Sequence, residues 1–256
     1  MRHLSVAAAC AALLALAGCE SIKSIDTSGL KDAGGTAAKA VTLSDGDILA
    51  MSDQSCAAMD KKSQLAPANS NYATRLNKVV RSMPGAINGR PADYRVYVTK
   101  DVNAWAMANG CIRVYSGLMD LMTDDELRGV IGHEIGHVAL GHSKTQMQAA
   151  YGASAVRTAA NAAGGVVGAL SQSQAGDLAE KFVNAQFSQA QESAADNYAF
   201  DLLTERKLER KGLVTGFQKL AAQGGAGSIS LLSSHPPSGD RAAAMQKRLD
   251  AATKSR

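Results

Sequence analysis

His133-Glu134-Ile135-Gly136-His137 reads H-E-x-x-H. Helix positions four apart differ by about 40° around the axis and about 6 Å along it, so the two imidazoles converge on one point. Neutral imidazole nitrogen is a zinc donor, and zinc takes four donors in a tetrahedron. A glutamate beside such a pair can accept a proton from an attacking water and later pass it to a leaving amine. These residue types at this spacing point to metal-assisted amide hydrolysis with one Zn2+ per chain. The competing reading is two ordinary core histidines. Against it, three of the five histidines fall between 133 and 142. Gly132, Gly136 and Gly141 also weaken the helix without local benefit, as expected of a face that something must approach closely.

A third donor is needed. His142 follows His137 by five positions, about 140° further round a continuous helix, and reads as a helix-end histidine near the negative dipole end. Leu140 stands where the glycine of the longer H-E-x-x-H-x-x-G-x-x-H pattern would be. Glu192 and Asp196 lie four apart among small residues. Alone they read as solvated acids. Beside the His133 helix, Glu192 becomes the candidate ligand, and Asp196 the acceptor that orients a ligating imidazole. His235 precedes Pro236-Pro237, which stiffen the local chain. It is a candidate catalytic donor to an oxyanion or a plain surface histidine, and both readings stand open. Arg241 could pair with an acid near the site, but a solvated helix charge is the favoured reading.

The elements that hold these residues are partly legible. Thr123-Asp124-Asp125-Glu126 is a capping box that opens the His133 helix, with Met122 and Leu127 placed as a hydrophobic staple. Asn103–Met107 and Cys111–Tyr115 flank Ala108-Asn109-Gly110, which predicts a β-hairpin. Tyr94–Val98 reads as a strand. Helices are expected from near Asp47, over Asn71–Met83, as one long helix over 177–205, and over Asp240–Ala252. The Ala- and Gly-rich run Ala149–Leu170 reads as small-residue helix with a link at Gly164-Gly165, and Gly224–Gly227 as a loop.

H-E-x-x-H, then Glu192-x-x-x-Asp196, then Ser234-His235-Pro236, resembles the gluzincin family of zinc metallopeptidases that contains HtpX, BepA and LoiP. Asn103-Ala104-Trp105-Ala106 and Val114-Tyr115-Ser116-Gly117-Leu118 ahead of the zinc helix add to the likeness, which covers residues 70–250. Its periplasmic lipoprotein branch is nearest. The resemblance implies an α+β, mainly helical, zincin-like domain with a small sheet and hairpin beside the zinc helix. It implies zinc on His133, His137 and Glu192, with Glu134 as base. It also implies that Asn103, Ala104, Trp105 and Ala106 form an edge strand to which an extended substrate adds. Gln189 and Gln191 stand where relatives often carry an arginine.

The chain has 256 residues and a net charge of +4, too mild to suggest nucleic acid, and its single Trp offers no stacking surface. Leu4–Ala17 is an apolar run too short to span a bilayer. It ends in Leu16-Ala17-Gly18-Cys19, which resembles a lipoprotein signal. Residues 1–18 are then a signal peptide, Cys19 the lipidated residue, 19–45 a flexible tether, and 46–256 the metallopeptidase domain. Glu20 favours the outer membrane, periplasmic face. Cys56 and Cys111, the two cysteines left, are expected to pair. The expected partners are the membrane, through the lipid, and unfolded or misassembled envelope proteins as substrates. An assembly machinery or a second protease of the envelope is a further possible partner. A chaperone with an idle site is the competing function. A structural zinc module is disfavoured, because such sites are closed and usually rich in cysteine.

Overall fold

The computed structural model describes residues 43–158, 170–223, 230–235 and 239–254. The leader, Cys19, Gly164-Gly165, Gly224–Gly227 and Pro236-Pro237 lie outside them. The fold begins slightly before the expected boundary, because Leu43 is already buried. Ser44 caps α1 (Asp45–Lys62) through a capping box with Asp47. Ser70 caps α2 (Asn71–Val80), which buries Leu76 and Val79. A two-residue hairpin, β1 (Ala86–Ile87) and β2 (Arg90–Pro91), follows.

The main sheet holds β3 (Asp93–Tyr97), β4 (Ala104–Ala106) and β5 (Cys111–Tyr115) in the order β3-β5-β4. β3 runs parallel to β5, with Asp93 opposite Cys111. β4 runs antiparallel to β5, with Ala104 opposite Val114 and Ala106 opposite Ile112. The hairpin turns at Gly110 with φ 85°. A Cβ there would also lie 2.6 Å from the Pro91 carbonyl oxygen, so shape and space both require glycine.

Helices follow: α3 (Ser116–Leu121), α4 (Asp124–Ala139), α5 (His142–Thr158), α6 (Gln172–Asn184), α7 (Gln189–Glu205), α8 (Lys211–Gln223), α9 (Ser230–Ser234) and α10 (Gly239–Lys254). The Thr123/Glu126 capping box opens α4 as the sequence predicts. The expected single helix over 177–205 is instead two. α6 ends at Ala185, and Ser188 starts α7 through a capping box with Gln191. A side chain that accepts the first N–H groups ends the competition for one continuous helix. α8 has no counterpart among the expected elements, although Leu213, Val214, Phe217 and Leu220 follow helical spacing.

The core has two parts. One packs α4 against the sheet, α7 and α8 around Ile131, Ile135, Ile112 and Leu203. The other joins α1, α5 and α6 to Tyr97, Trp105 and Met107. A disulfide joins Cys56 on α1 to Cys111 on β5. Beside it the fully buried Arg113 guanidinium donates to Asp60 at 2.8 and 2.9 Å and to Asp93 at 3.0 Å. Among the described residues, no helix is long and apolar enough to cross a membrane.

Candidate metal centre

α4 and α7 cross closely because their facing residues are small. A Cβ on Gly136 would sit 3.0 Å from the Ala195 carbonyl oxygen, so glycine sets the approach. That contact brings Glu192 and Asp196 over the His133–His137 face. All four side chains are buried.

His133 Nε2 and His137 Nε2 stand 3.0 Å apart. Glu192 Oε2 is 3.5 Å from His133 Nε2, and Glu192 Oε1 is 3.4 Å from His137 Nε2. His235 joins them: its Nδ1 lies 2.9 Å from Glu192 Oε1 and 3.3 Å from His133 Nε2. Donors about 2.0–2.1 Å from a tetrahedral zinc stand ~3.3 Å from one another. The four side chains meet that spacing, and the buried cluster can bind one zinc ion.

The surrounding groups orient the donors. Asp196 Oδ1 lies 2.8 Å from His133 Nδ1, which leaves Nε2 facing the centre. Arg241, expected as a solvated charge, is buried. Its Nε donates to Asp196 Oδ2 at 2.7 Å, and its Nη1 lies 2.5 Å from Glu192 Oε2. The pairing with an acid near the site, the less favoured reading of the sequence, is the one found; the partners sit on a different helix, so nothing local singles it out. The Phe217 ring packs near both the Arg241 guanidinium, 5.2 Å away, and the His133 ring, 5.6 Å away.

His142 also departs from expectation. Gly141, at φ 77°, ends α4, so the 140° rotation of a continuous helix does not apply. His142 opens α5 instead, with Nδ1 3.1 Å from His137 Nδ1. Phe187, from the break between α6 and α7, stacks on the other side of His137 with centroids 3.8 Å apart. No local signal marks Phe187 as part of a site. The Ser188-x-x-Gln191 cap that follows it is the only clue.

Burial dominates the titration of the cluster. It raises the Glu134 carboxyl above its ordinary value and lowers His137 well below its own. Burial also opposes ionisation of Glu192 and Asp196. Hydrogen bonds from His137 and His235 overcome it at Glu192, and those from Arg241 and His133 at Asp196, so both stay lowered. At His235 burial acts downward, yet the Glu134 and Glu192 charges raise it. Glu134 Oε1 has no hydrogen bond among the described residues, and His235 Nε2 is 3.5 Å away. A buried, unpaired carboxylate oxygen beside a donor cluster is placed to take a proton from water. Trp105 and Ala106 of β4, an edge strand of the sheet, line a small hollow together with Glu134 and His235.

Comparison with known proteins agrees with this geometry. Residues 70–249 match the model of peptidase family M48. Metalloprotease LoiP of Escherichia coli is 52% identical over 251 residues, 98% of each chain. Metalloprotease YcaL of the same organism is 50% identical over 234 residues, 91% of this chain and 92% of that one. Protease HtpX of Stenotrophomonas maltophilia is 30% identical over 214 residues, 70% of this chain and 74% of that protein. With a buried His/Glu donor set on a capped helix and this likeness over most of its length, the chain belongs to the zinc metalloproteases of peptidase family M48.

Proposed function

We propose that the chain is an endopeptidase that cleaves unfolded or misassembled proteins of the bacterial envelope. The observation that carries it is the buried Glu134 oxygen without a hydrogen bond, beside a four-residue donor cluster and next to a sheet edge strand. His133, His137 and Glu192 hold the metal in this reading. When bound, zinc supplies the Lewis acidity that makes water a nucleophile near neutral pH. Glu134 takes the proton of the attacking water and hands it to the leaving amine. Asp196 and His142 fix the two imidazoles through their Nδ1 atoms. His235 Nε2, next to Glu134, donates to the oxygen that gains charge as the carbonyl is attacked.

The preference for unfolded chains follows from β4. In the hydrogen-bonding pattern of this register, Trp105 pairs with Arg113, so Ala104 and Ala106 turn main-chain groups to the open edge. An extended peptide can add there, and a folded protein cannot without local unfolding. Asn103 leads into this edge, and its side chain caps the Ala104 N–H at 2.9 Å. Ser143 already donates to the Ala106 carbonyl at 2.8 Å, so the Ala106 N–H is the group we assign to substrate.

The test is digestion of casein or another denatured protein by the mature, zinc-loaded chain. Glu134→Gln should retain zinc and lose cleavage by at least 100-fold, within the range of general base catalysis of roughly 10²–10⁴. Glu192→Ala should lose most zinc by elemental analysis. Ala106→Pro should keep zinc and fold but lose cleavage of unfolded protein. Equal digestion by the native chain and Glu134→Gln would sink the enzyme reading and favour a chaperone that uses the same surface.

A further inference from the structure

Phe187 is the buried residue of the connection between α6 and α7, and Gln186 and Ser188 beside it are exposed. Its ring belongs to neither part of the hydrophobic core. Its aromatic contacts among the described residues are instead with three imidazoles. The ring lies 3.8 Å from that of His137, centroid to centroid and tilted by 26°, 5.2 Å from His235 and 6.4 Å from His142. The main chain reaches the same place. The Phe187 N–H donates to the Ser234 carbonyl at 3.2 Å, one residue before His235. The connection is itself fixed from α5, where the buried Gln146 amide donates to the Phe182 carbonyl at 2.8 Å and the Ala185 carbonyl at 3.2 Å.

We propose that Phe187 is a positioning residue for the metal centre: its ring holds the plane of the His137 imidazole, and its N–H holds Ser234, and with it His235, against the same centre. The inference rests on the reading of His133, His137 and Glu192 as metal ligands and adds what orients one of them. The two ligating imidazoles are not held alike. His133 has a carboxylate at Nδ1, that of Asp196 at 2.8 Å, which Arg241 fixes in turn. His137 has there a ring nitrogen of His142 at 3.1 Å. A contact at one ring nitrogen sets the tautomer and leaves the ring free to turn about that contact. A second ring laid on the imidazole face removes this freedom.

The stack also suits a metal-bound ring. An imidazole that gives its Nε2 lone pair to a divalent cation becomes electron-poor, and the negative face of a phenyl ring attracts it. Two neutral rings so nearly superposed gain little from each other. Phe187 therefore favours His137 in its ligating form, and a side chain of similar bulk without a flat face cannot replace it.

The experiment compares the mature chain with Phe187→Leu, which keeps apolar bulk, and Phe187→Tyr, which keeps the aromatic face. Zinc affinity is measured by competition with a colorimetric chelator, and the absorption spectrum of the Co2+-loaded chain reads donor geometry without any cleavage. Urea unfolding in excess chelator reports the metal-free fold. We expect Phe187→Leu to keep the native midpoint in chelator yet bind zinc about 10–100-fold more weakly, the usual cost of losing a group that orients a ligand. Its Co2+ bands should shift, and kcat on a denatured protein should fall with little change in KM. Phe187→Tyr should stay within about threefold of the native affinity, because the stacked face is retained. Native zinc affinity and Co2+ spectrum in Phe187→Leu overturn the proposal. So does a loss that Phe187→Tyr shares, or one that a lower midpoint in chelator accounts for, since packing alone then explains it. If Phe187→Leu does not accumulate as folded protein, Phe187→Met enters the same comparison. Failure of the underlying reading looks different: His137→Ala would hold zinc as tightly as the native chain, and the ligand assignment and the proposal would fall together.

Discussion

Arg241 stands between two buried carboxylates, and its charge offsets both. Its role predicts an effect that depends on metal. In Arg241→Leu, Asp196 and Glu192 remain buried without their cation, at a cost of about 3–5 kcal/mol for a broken buried pair. Urea unfolding of the metal-free variant should show that loss, and zinc should recover part of it by supplying positive charge to Glu192. An unchanged midpoint in chelator would remove the argument. At this scale the sequence is uneven. His133, Glu134 and His137 are legible because their spacing lies within one helix turn. Asp196 is legible once a facing helix is assumed. Arg241 is half legible, as one of two readings, and Phe187 and Phe217 are not, because each acquires its role from a residue far along the chain, and nothing local distinguishes it from an ordinary core side chain.

α1 is held to the sheet by a crosslink and a buried ion cluster rather than by shared hydrogen-bonded structure. The disulfide spans 55 residues, and such a closure contributes about 4 kcal/mol in the chain-entropy model. Next to it, burial raises the Asp60 carboxyl, but hydrogen bonds from Arg113 and Tyr97 and the Arg113 charge lower it further, below its ordinary 3.8. A depressed carboxylate stabilises the fold above its unfolded pKa, and the contribution is lost as pH falls through the folded value. Asp60→Asn should therefore be less stable than the native chain at pH 7, by about 3 kcal/mol if Asp93 does not compensate. The gap should narrow below pH 4, where the native Asp60 also protonates. A gap that stays constant from pH 7 to pH 3 would count against the linkage. The elements themselves are readable where a local signal fixes them: the Thr123 cap and the Asn109-Gly110 turn. The break between α6 and α7 carried an equally local signal in Ser188 and Gln191, but the apolar spacing on both sides suggests continuity. α8 lies outside the expected elements although its apolar residues follow helical spacing.

For the whole molecule, we propose that residues 1–18 direct export and that Cys19 carries the lipid, with residues up to the Ser44 cap as tether. Cys19→Ser should move the chain from the membrane fraction to the soluble periplasmic fraction and abolish labelling by radioactive palmitate. Retention in the membrane fraction would contradict the anchor. That part of the reading comes from a short linear pattern and owes nothing to the fold. The catalytic cluster has the opposite character. Asp196 is 63 residues from His133, and His235 is 102 residues from it. Contacts of such span form only after long loops have closed, which makes them late events in folding. On the proposed function, a peptidase that attacks extended chains would meet one such chain in each newly made copy of itself. Because its donors are scattered over the second half of the sequence, no partial length of it assembles a competent centre. On that reading, a copy can cut its sisters only after it has ceased to resemble its own substrate.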